Sequence, residues 1–140
     1  MQEIGAKAEV RLGPQLIDYT KYPLEESIPF LIKLAITFHT FGAPANRVEY
    51  NMAECAAAYG ITASFAVTPT MMLISFGVPE RMDNISRVIR INQNIVECGR
   101  LFLVDQLMDK IHRRMVPLKD ADAELNRIIA KPPYFSRFIR

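Results

Sequence analysis

The feature that most constrains this fold is a stretch without any charged residue, which covers residues 55–79. Such a run is long enough to cross the apolar layer of a bilayer as a helix. Its apolar side chains alternate with polar ones from residue 61 onward, however, and Gly60 and Pro69 interrupt it. Alternation with period two is typical of a half-buried strand and not of a membrane helix. The stretch therefore predicts strands of a soluble domain.

Two strands are predicted here, at residues 61–67 and 71–76, and their short connection indicates an antiparallel hairpin. In this hairpin Phe65 and Ile74 face a core shared with the first helix. A third strand is predicted at residues 85–92, which are rich in β-branched side chains, with its isoleucines at positions 89 and 91 pointing inward.

Apolar residues at helical spacing predict four helices, at residues 24–41, 46–59, 100–115 and from Pro117 onward. Pro29 is tolerated only in a first turn, so residue 28 is an alternative start for the first helix.

The ends of these helices carry further signals. Gly42 suits the left-handed conformation just past the first helix, and Pro44 prevents its continuation. Asn46 and Glu49 have the spacing of a capping box at the start of the second helix. The buried face of the predicted last helix, which begins at Pro117, is formed by apolar residues at positions 118, 121, 125 and 128.

The order of elements predicts an α+β fold with two N-terminal helices, a three-stranded antiparallel sheet and two C-terminal helices. A chain of 140 residues fits one domain, which we place at residues 23–131 after a flexible arm at 1–22. An ordered segment within the arm is expected near residues 16–19. The net charge is only +2 and the basic residues are spread along the chain. Both features argue against a nucleic-acid partner.

Two cysteines, Cys55 and Cys98, are too few for a disulfide framework or a metal set. We expect both to be buried free thiols, and we expect no cofactor. Four of the seven methionines are expected in an adaptable core: Met71, Met72, Met108 and Met115.

Several short motifs resemble the N-terminal soluble domain of the threonine/serine exporter family, which includes fungal pheromone-regulated membrane proteins. The most specific is Phe-Gly-Ala-Pro at residues 41–44 followed by Arg-Val-Glu at 47–49. Phe-Ala-Val-Thr-Pro at 65–69 and Ile-Ser-Phe-Gly at 74–77 resemble the family's strand–proline–strand segment. The motif residues carried over, with unproven roles, are Gly42, Ala43, Pro44, Arg47, Glu49, Pro69, Ser75 and Phe76.

The similarity covers about residues 28–138, and two loops depart from the family pattern, at 78–81 and 95–99. It implies a cytoplasmic domain that precedes membrane helices exporting small amino acids such as threonine or serine. The chain is then expected to be a truncated product or a fragment of a longer protein, soluble alone and not competent for transport. Its partner is the membrane-helix portion of the same or another protein, and residues 132–140 form the junction toward it.

The alternative function is a small hydrolase-like enzyme. The residue types for one are present as Ser64, Ser75, His39, His112, Asp83 and Asp105. A nucleophile needs a base within hydrogen-bond reach and a third group that orients the base. No G-x-S-x-G element occurs, so no catalytic residue is assigned. We expect His39 at the surface or its boundary, and His112 in a cationic helix C-terminus.

Arg47 and Glu49 are the polar pair with the strongest claim to a functional role, because they lie in the most specific motif. A ligand role is one interpretation. The other is structural, with Glu49 capping its own helix and Arg47 paired with a neighbour.

Overall fold

Hydrophobic periodicity changes from helical to alternating and back, and the fold follows this change. The computed structural model describes residues 16–78, 84–91 and 96–130. Its helices and strands, in chain order, are α1 (Leu24–Thr40), α2 (Ala45–Ala58), β1 (Thr62–Val67), β2 (Met71–Gly77), β3 (Ile85–Arg90), α3 (Cys98–His112) and α4 (Leu118–Ala130). Two helices, three antiparallel strands and two further helices confirm the predicted α+β fold.

The first helix begins at Leu24, with Pro23 in the capping position. The alternative start at residue 28 is therefore wrong, because Pro29 lies inside the helix and beyond its first turn. Proline has no N–H to donate to the carbonyl of Glu25, four residues earlier. Both residues are exposed, so water can reach the carbonyl that is left without its helical partner.

The three strands lie in the order β1-β2-β3, and both pairs are antiparallel. Phe65 lies opposite Ile74, and both side chains are buried, which confirms the predicted hairpin and its core residues. Ile89 is half-buried opposite Met72, and Ile91 is buried, as predicted. The strand itself ends at Arg90, before the predicted end.

One apolar core joins the helices to the inner face of the sheet. α2 packs along β1, α1 contacts the three other helices, and α3 packs against α4. The largest fully buried side chains are Tyr19, Phe38, Phe76, Leu31, Leu34, Met52, Ile61, Met72, Ile74, Leu107, Ile111 and Leu125. The predicted inner face of α4 is confirmed, since Leu118, Ala121, Leu125 and Ile128 are all buried.

The four methionines assigned to the core divide between core and surface. Met72 and Met108 are buried as predicted, but Met71 and Met115 are 45% and 56% exposed, so their assignment to the core is wrong. Met71 starts β2 with its side chain on the face opposite to Met72, because side chains alternate along a strand. Met115 follows the end of α3, in the connection to α4.

A seam of hydrogen bonds ties residues 17–22 to the connection between α3 and α4. The hydroxyl of Tyr19 donates to the carbonyl of Val116 at 2.6 Å, and the N–H of Leu118 donates to the hydroxyl of Tyr22 at 3.1 Å. Tyr19 also stacks on Tyr59 with ring centroids 4.8 Å apart. The ordered segment expected near residues 16–19 is a 3-10 turn at Tyr19–Lys21.

Candidate functional site

The turn between α1 and α2 is built from the Phe-Gly-Ala-Pro motif. Gly42 has φ +111°, a left-handed conformation that glycine reaches without a Cβ clash, so its predicted role in ending α1 is confirmed. Its N–H donates to the carbonyl of His39 at 3.1 Å, and the N–H of Ala43 donates to Phe38 at 3.2 Å. Ala43 is buried, and Pro44 caps α2.

Arg47 connects α2 to two other helices. Its guanidinium lies 5.4 Å from the ring centroid of Phe38 in α1, which is within the range of a cation–π contact. It also forms an ion pair with Asp105 in α3. The expected pairing of Arg47 is present, and the partner lies 58 residues away.

Glu49 connects α2 to the sheet instead of capping its own helix. The N–H of Val67, at the end of β1, donates to Glu49 Oε2 at 3.1 Å. α2 begins at Ala45 after Pro44 and has no side-chain cap, so the predicted capping box is wrong. Asn46 falls inside the first turn, two positions after the capping residue Pro44, and this frees the Glu49 carboxylate for the strand.

His39 holds the turn of the β hairpin. Its Nε2–H donates to the carbonyl of Thr68 at 2.9 Å, and the residue is 7% exposed. The expectation of a surface or boundary histidine is therefore wrong, because the hairpin turn after β1 contacts the end of α1. Pro69 follows Thr68 in this turn and is exposed.

Ser75 and Phe76 point to opposite faces of β2. Ser75 lies opposite Ser64 on β1 and Ser86 on β3, so three hydroxyl residues form a row across the outer face. Phe76 is buried and packs edge-to-face on Phe65, with ring centroids 6.2 Å apart. The motif serine thus lies on the outer face and the motif phenylalanine in the core.

A buried ion pair, absent from the sequence-based predictions, supports the same turn from the start of α3. Arg100 lies over the ring of Phe41 at 4.9 Å, and its Nε is 3.2 Å from Glu97 Oε2. Neither atom makes a hydrogen bond among the described residues, so charge attraction holds the pair. The N–H of Glu97 donates to the carbonyl of Phe41 at 3.2 Å. In the sequence, the i,i+3 spacing of Glu97 and Arg100 could have indicated this ion pair.

The residues considered for a hydrolase do not assemble into one site. Ser75 and Ser64 lie on the outer face of the sheet, and the Nε2 of His39 is bonded to a backbone carbonyl. His112 is exposed in the last turn of α3, as predicted, and Asp105 pairs with Arg47. Asp83 lies outside the described residues.

The two cysteines occupy different environments. Cys55 is buried as predicted, but Cys98 is exposed, so the expectation of two buried thiols is wrong. Cys98 is the first residue of α3, and it lies on the exposed side of a turn whose Glu97 and Arg100 are buried. Across residues 16–78, 84–91 and 96–130, no group of three His, Cys, Asp or Glu side chains could hold a metal ion.

A cleft of about 300 Å³ opens between α2 and α3, beside the Arg47–Asp105 pair. Its lining consists of Tyr50, Asn51, Glu54, Cys55, Asp105, Met108, Asp109 and His112. Two of its carboxylates already have basic partners, since Asp105 pairs with Arg47 and Asp109 with Arg113. The cleft is therefore a polar surface depression in which most charge is already compensated.

None of the helices in the described part of the chain is both long and apolar enough to cross a membrane.

Comparison with known proteins places this arrangement in a family. The model of the family described as "Putative threonine/serine exporter" matches residues 29–140. The chain is 31% identical over 110 residues to "Uncharacterized protein C7D4.12c" of Schizosaccharomyces pombe, covering 79% of this chain and 14% of that protein. It is 26% identical over 135 residues to "Pheromone-regulated membrane protein 10" of Kluyveromyces lactis, covering 94% of this chain and 14% of that protein. No solved structure matches it.

The family match covers most of the chain, and the motif turn with Arg47 and Glu49 lies within it. The chain therefore belongs to the threonine/serine exporter family. It spans 14% of the length of each of these curated relatives.

Proposed function

We propose that this chain is the cytoplasmic domain of a threonine/serine exporter, and that it supports the export of small amino acids by attached membrane helices. The observation that carries the proposal is the family match over residues 29–140. A relative named as a membrane protein supports it. Crossing a bilayer requires helices or a closed barrel within it, so the domain acts by assembly, gating or sensing and not as the transport path.

The geometry of the motif supports a coupling role. Arg47 joins α2 to α1 and α3, while Glu49 joins α2 to β1. The turn at Gly42 is held from the other side by Arg100 and Glu97. Each of these contacts crosses between elements, so a displacement of α3 is passed to α2 and the sheet. A gating domain needs this kind of mechanical connection.

Threonine export by the complete protein that contains this domain tests the proposal. Arg47→Asp and Asp105→Arg each place like charges together and should lower the efflux of radiolabelled threonine from loaded cells. The double exchange restores opposite charges and should recover efflux. Arg113→Asp is the matched control. Arg113 follows the end of α3 and pairs with Asp109 in that same helix, so its ion pair does not connect two elements. Normal efflux after removal of the whole domain would refute the proposal.

The exposed thiol of Cys98 allows the cytoplasmic location to be tested in the same cells. A membrane-impermeant maleimide should label Cys98 only after the plasma membrane is permeabilised, and Cys98→Ser identifies the labelled site. Cys55 is buried and should not react in either condition. Labelling of Cys98 in intact cells would place the domain on the outside.

The proposed junction to membrane is tested by the reading frame beyond residue 140. The proposal requires a run of about 20 apolar residues soon after that point, the length that spans the apolar layer as a helix. Residues 131–140 themselves lie outside the described residues. A continuous polar sequence in the natural gene would remove the transport role.

A further inference from the structure

The two edges of the sheet differ in whether other parts of the described protein cover them. α2 packs along β1, and the Glu49 carboxylate accepts the outward N–H of Val67. β3 forms the other edge and has β2 as its single strand neighbour among the described residues. One edge is therefore covered by protein, while the other presents a strand.

The hydrogen-bond register identifies which groups of β3 point outward. The N–H of Ile91 donates to the carbonyl of Thr70 at 2.8 Å. In an antiparallel ladder, alternate residues bond to the same neighbour, so Ile89 and Arg87 also face β2. The N–H and C=O groups of Ser86, Val88 and Arg90 therefore point away from the sheet. No partner for them is found in the described part of the chain.

The side chains at this edge are apolar and basic. Val88 is 67% exposed and lies opposite the exposed Leu73. Arg87 and Arg90 are both exposed, and no carboxylate occurs in the three strands. An unpaired strand with these side chains favours an incoming strand that carries negative charge.

We propose that the outer edge of β3 binds an extended acidic segment of a partner protein by strand addition. Main-chain hydrogen bonds to Ser86, Val88 and Arg90 would supply affinity, and the arginines would supply specificity. In antiparallel pairing, the partner residues opposite positions 90, 89, 88 and 87 are acidic, any, apolar and acidic, in that order. The proposal rests on the sheet alone and does not depend on the transport role.

A second copy of the chain is a poorer occupant of this edge. If two β3 strands pair about a two-fold axis at Val88, each Arg87 lies diagonally across from the other. Diagonal neighbours on paired strands are about 7–8 Å apart, so the two guanidinium groups repel each other. An acidic segment turns the same arginines into attractive partners.

Binding of a fluorescein-labelled peptide with Glu-Thr-Val-Glu at its centre, measured by fluorescence anisotropy on the whole chain, tests the proposal. We expect saturable binding that weakens with added salt. Binding of an otherwise identical peptide with Lys-Thr-Val-Lys should be absent. In NMR spectra, the amides of Ser86, Val88 and Arg90 should shift and become protected from exchange when the acidic peptide is added.

Two variants and a control assign the binding to the edge. Val88→Pro removes an outward N–H but no ladder bond, since proline is tolerated on the solvent side of an edge strand. It should weaken binding roughly tenfold, the scale of one lost hydrogen bond. Arg90→Glu should weaken binding of the acidic peptide and strengthen binding of the lysine peptide. Lys119→Glu makes the same charge change on α4, away from the sheet, and should leave binding unchanged.

Several results would overturn the proposal, provided that thermal melting shows each variant to be folded. These are absence of acidic-peptide binding, equal binding of the lysine peptide, or binding unaffected by Val88→Pro. Sedimentation of the wild-type chain as a dimer that Val88→Pro dissociates would also overturn it, because the occupant would then be a second copy.

Discussion

At the scale of single residues, Gly42 determines the angle at which α2 leaves α1. Its φ of +111° is outside the range that a side chain with a Cβ adopts comfortably. A Cβ built there would lie 3.4 Å from atoms of Val96, an acceptable contact distance. Backbone conformation, and not lack of space, is therefore what requires glycine here.

Gly42→Val should lower the free energy of unfolding by roughly 1–2 kcal/mol, the scale for forcing a residue with a Cβ into left-handed space. Chemical denaturation followed by circular dichroism measures this change. Gly99→Ala is the control, because Gly99 lies in the first turn of α3 and is not among the residues with positive φ. An unchanged denaturation midpoint for Gly42→Val would contradict the backbone argument.

Glu49 illustrates why a local pattern can mislead. Its spacing from Asn46 matches a capping box, but Pro44 takes the capping position two residues earlier than that pattern requires. The carboxylate instead satisfies the N–H of Val67, 18 residues later in the chain. A partner at that separation is fixed by tertiary packing, which single-sequence patterns do not contain.

Removing this carboxylate should loosen the end of β1. Glu49→Ala leaves the edge N–H of Val67 without its charged acceptor, at a cost of about 1.5–3 kcal/mol. Hydrogen exchange monitored by NMR should show the Val67 amide exchanging faster. Glu54→Ala removes a carboxylate from an exposed site on the same helix and should leave this amide unchanged. Equal protection of Val67 in both variants would argue against the edge-capping role.

At the scale of elements, periodicity identified all of the helices and strands found in the described residues, while their ends depended on context. Apolar spacing is imposed by the core that each element must cover, which is why the inner faces of β2 and α4 were predictable. Ends depend on capping and on neighbours, so α3 begins two residues before its predicted start at residue 100.

Two adjacent isoleucines of α4 test how much of its stability comes from the buried face. Ile128 is 5% exposed and Ile129 is 40% exposed. Ile128→Ala should cost about 2–5 kcal/mol, as for other large-to-small core changes. Ile129→Ala should change stability by about 0.5 kcal/mol or less. Both substitutions alter helix propensity equally, so their difference in urea denaturation isolates burial. Similar losses would mean that α4 is not docked as described.

At the scale of the whole molecule, burial of ionisable groups predicts instability at alkaline pH. Desolvation raises the pKa of the Cys55 thiol from 9.0 to about 12, and it also raises the pKa of Tyr59 and of Tyr19. Between pH 9 and about 12 the unfolded thiol loses its proton while the native one retains it. The free energy of unfolding therefore falls through this range, by at most about 1.4 kcal/mol per pH unit for each such group.

Urea denaturation at increasing pH measures this fall. Cys55→Ala should give a shallower decline than the wild-type chain, because one of the groups that ionise on unfolding is absent. Cys98→Ala should decline like wild type, since Cys98 is exposed. Parallel curves for wild type and Cys55→Ala would show that the thiol does not contribute.

The contacts of the motif were less predictable than the fold around it. Arg47 and Asp105 are 58 residues apart, and both residue types are abundant on any surface, so the sequence offers no sign that they meet. His39 was assigned to the surface because its own helix ends nearby. Its burial comes from the hairpin turn, whose position depends on the packing of β1 against α2.

The tyrosine seam has a consequence for the order in which the chain is completed during synthesis. Residues 17–22 leave the ribosome first among the described residues, yet Tyr19 bonds to Val116, 97 residues later. Closing so long a loop costs entropy before any contact forms. Residues 17–22 can therefore make their hydrogen bonds to the connection between α3 and α4 only after that connection has also emerged. Until then the hydroxyl of Tyr19 lacks its backbone acceptor, and the stacking of Tyr19 on Tyr59 is the contact that holds this segment.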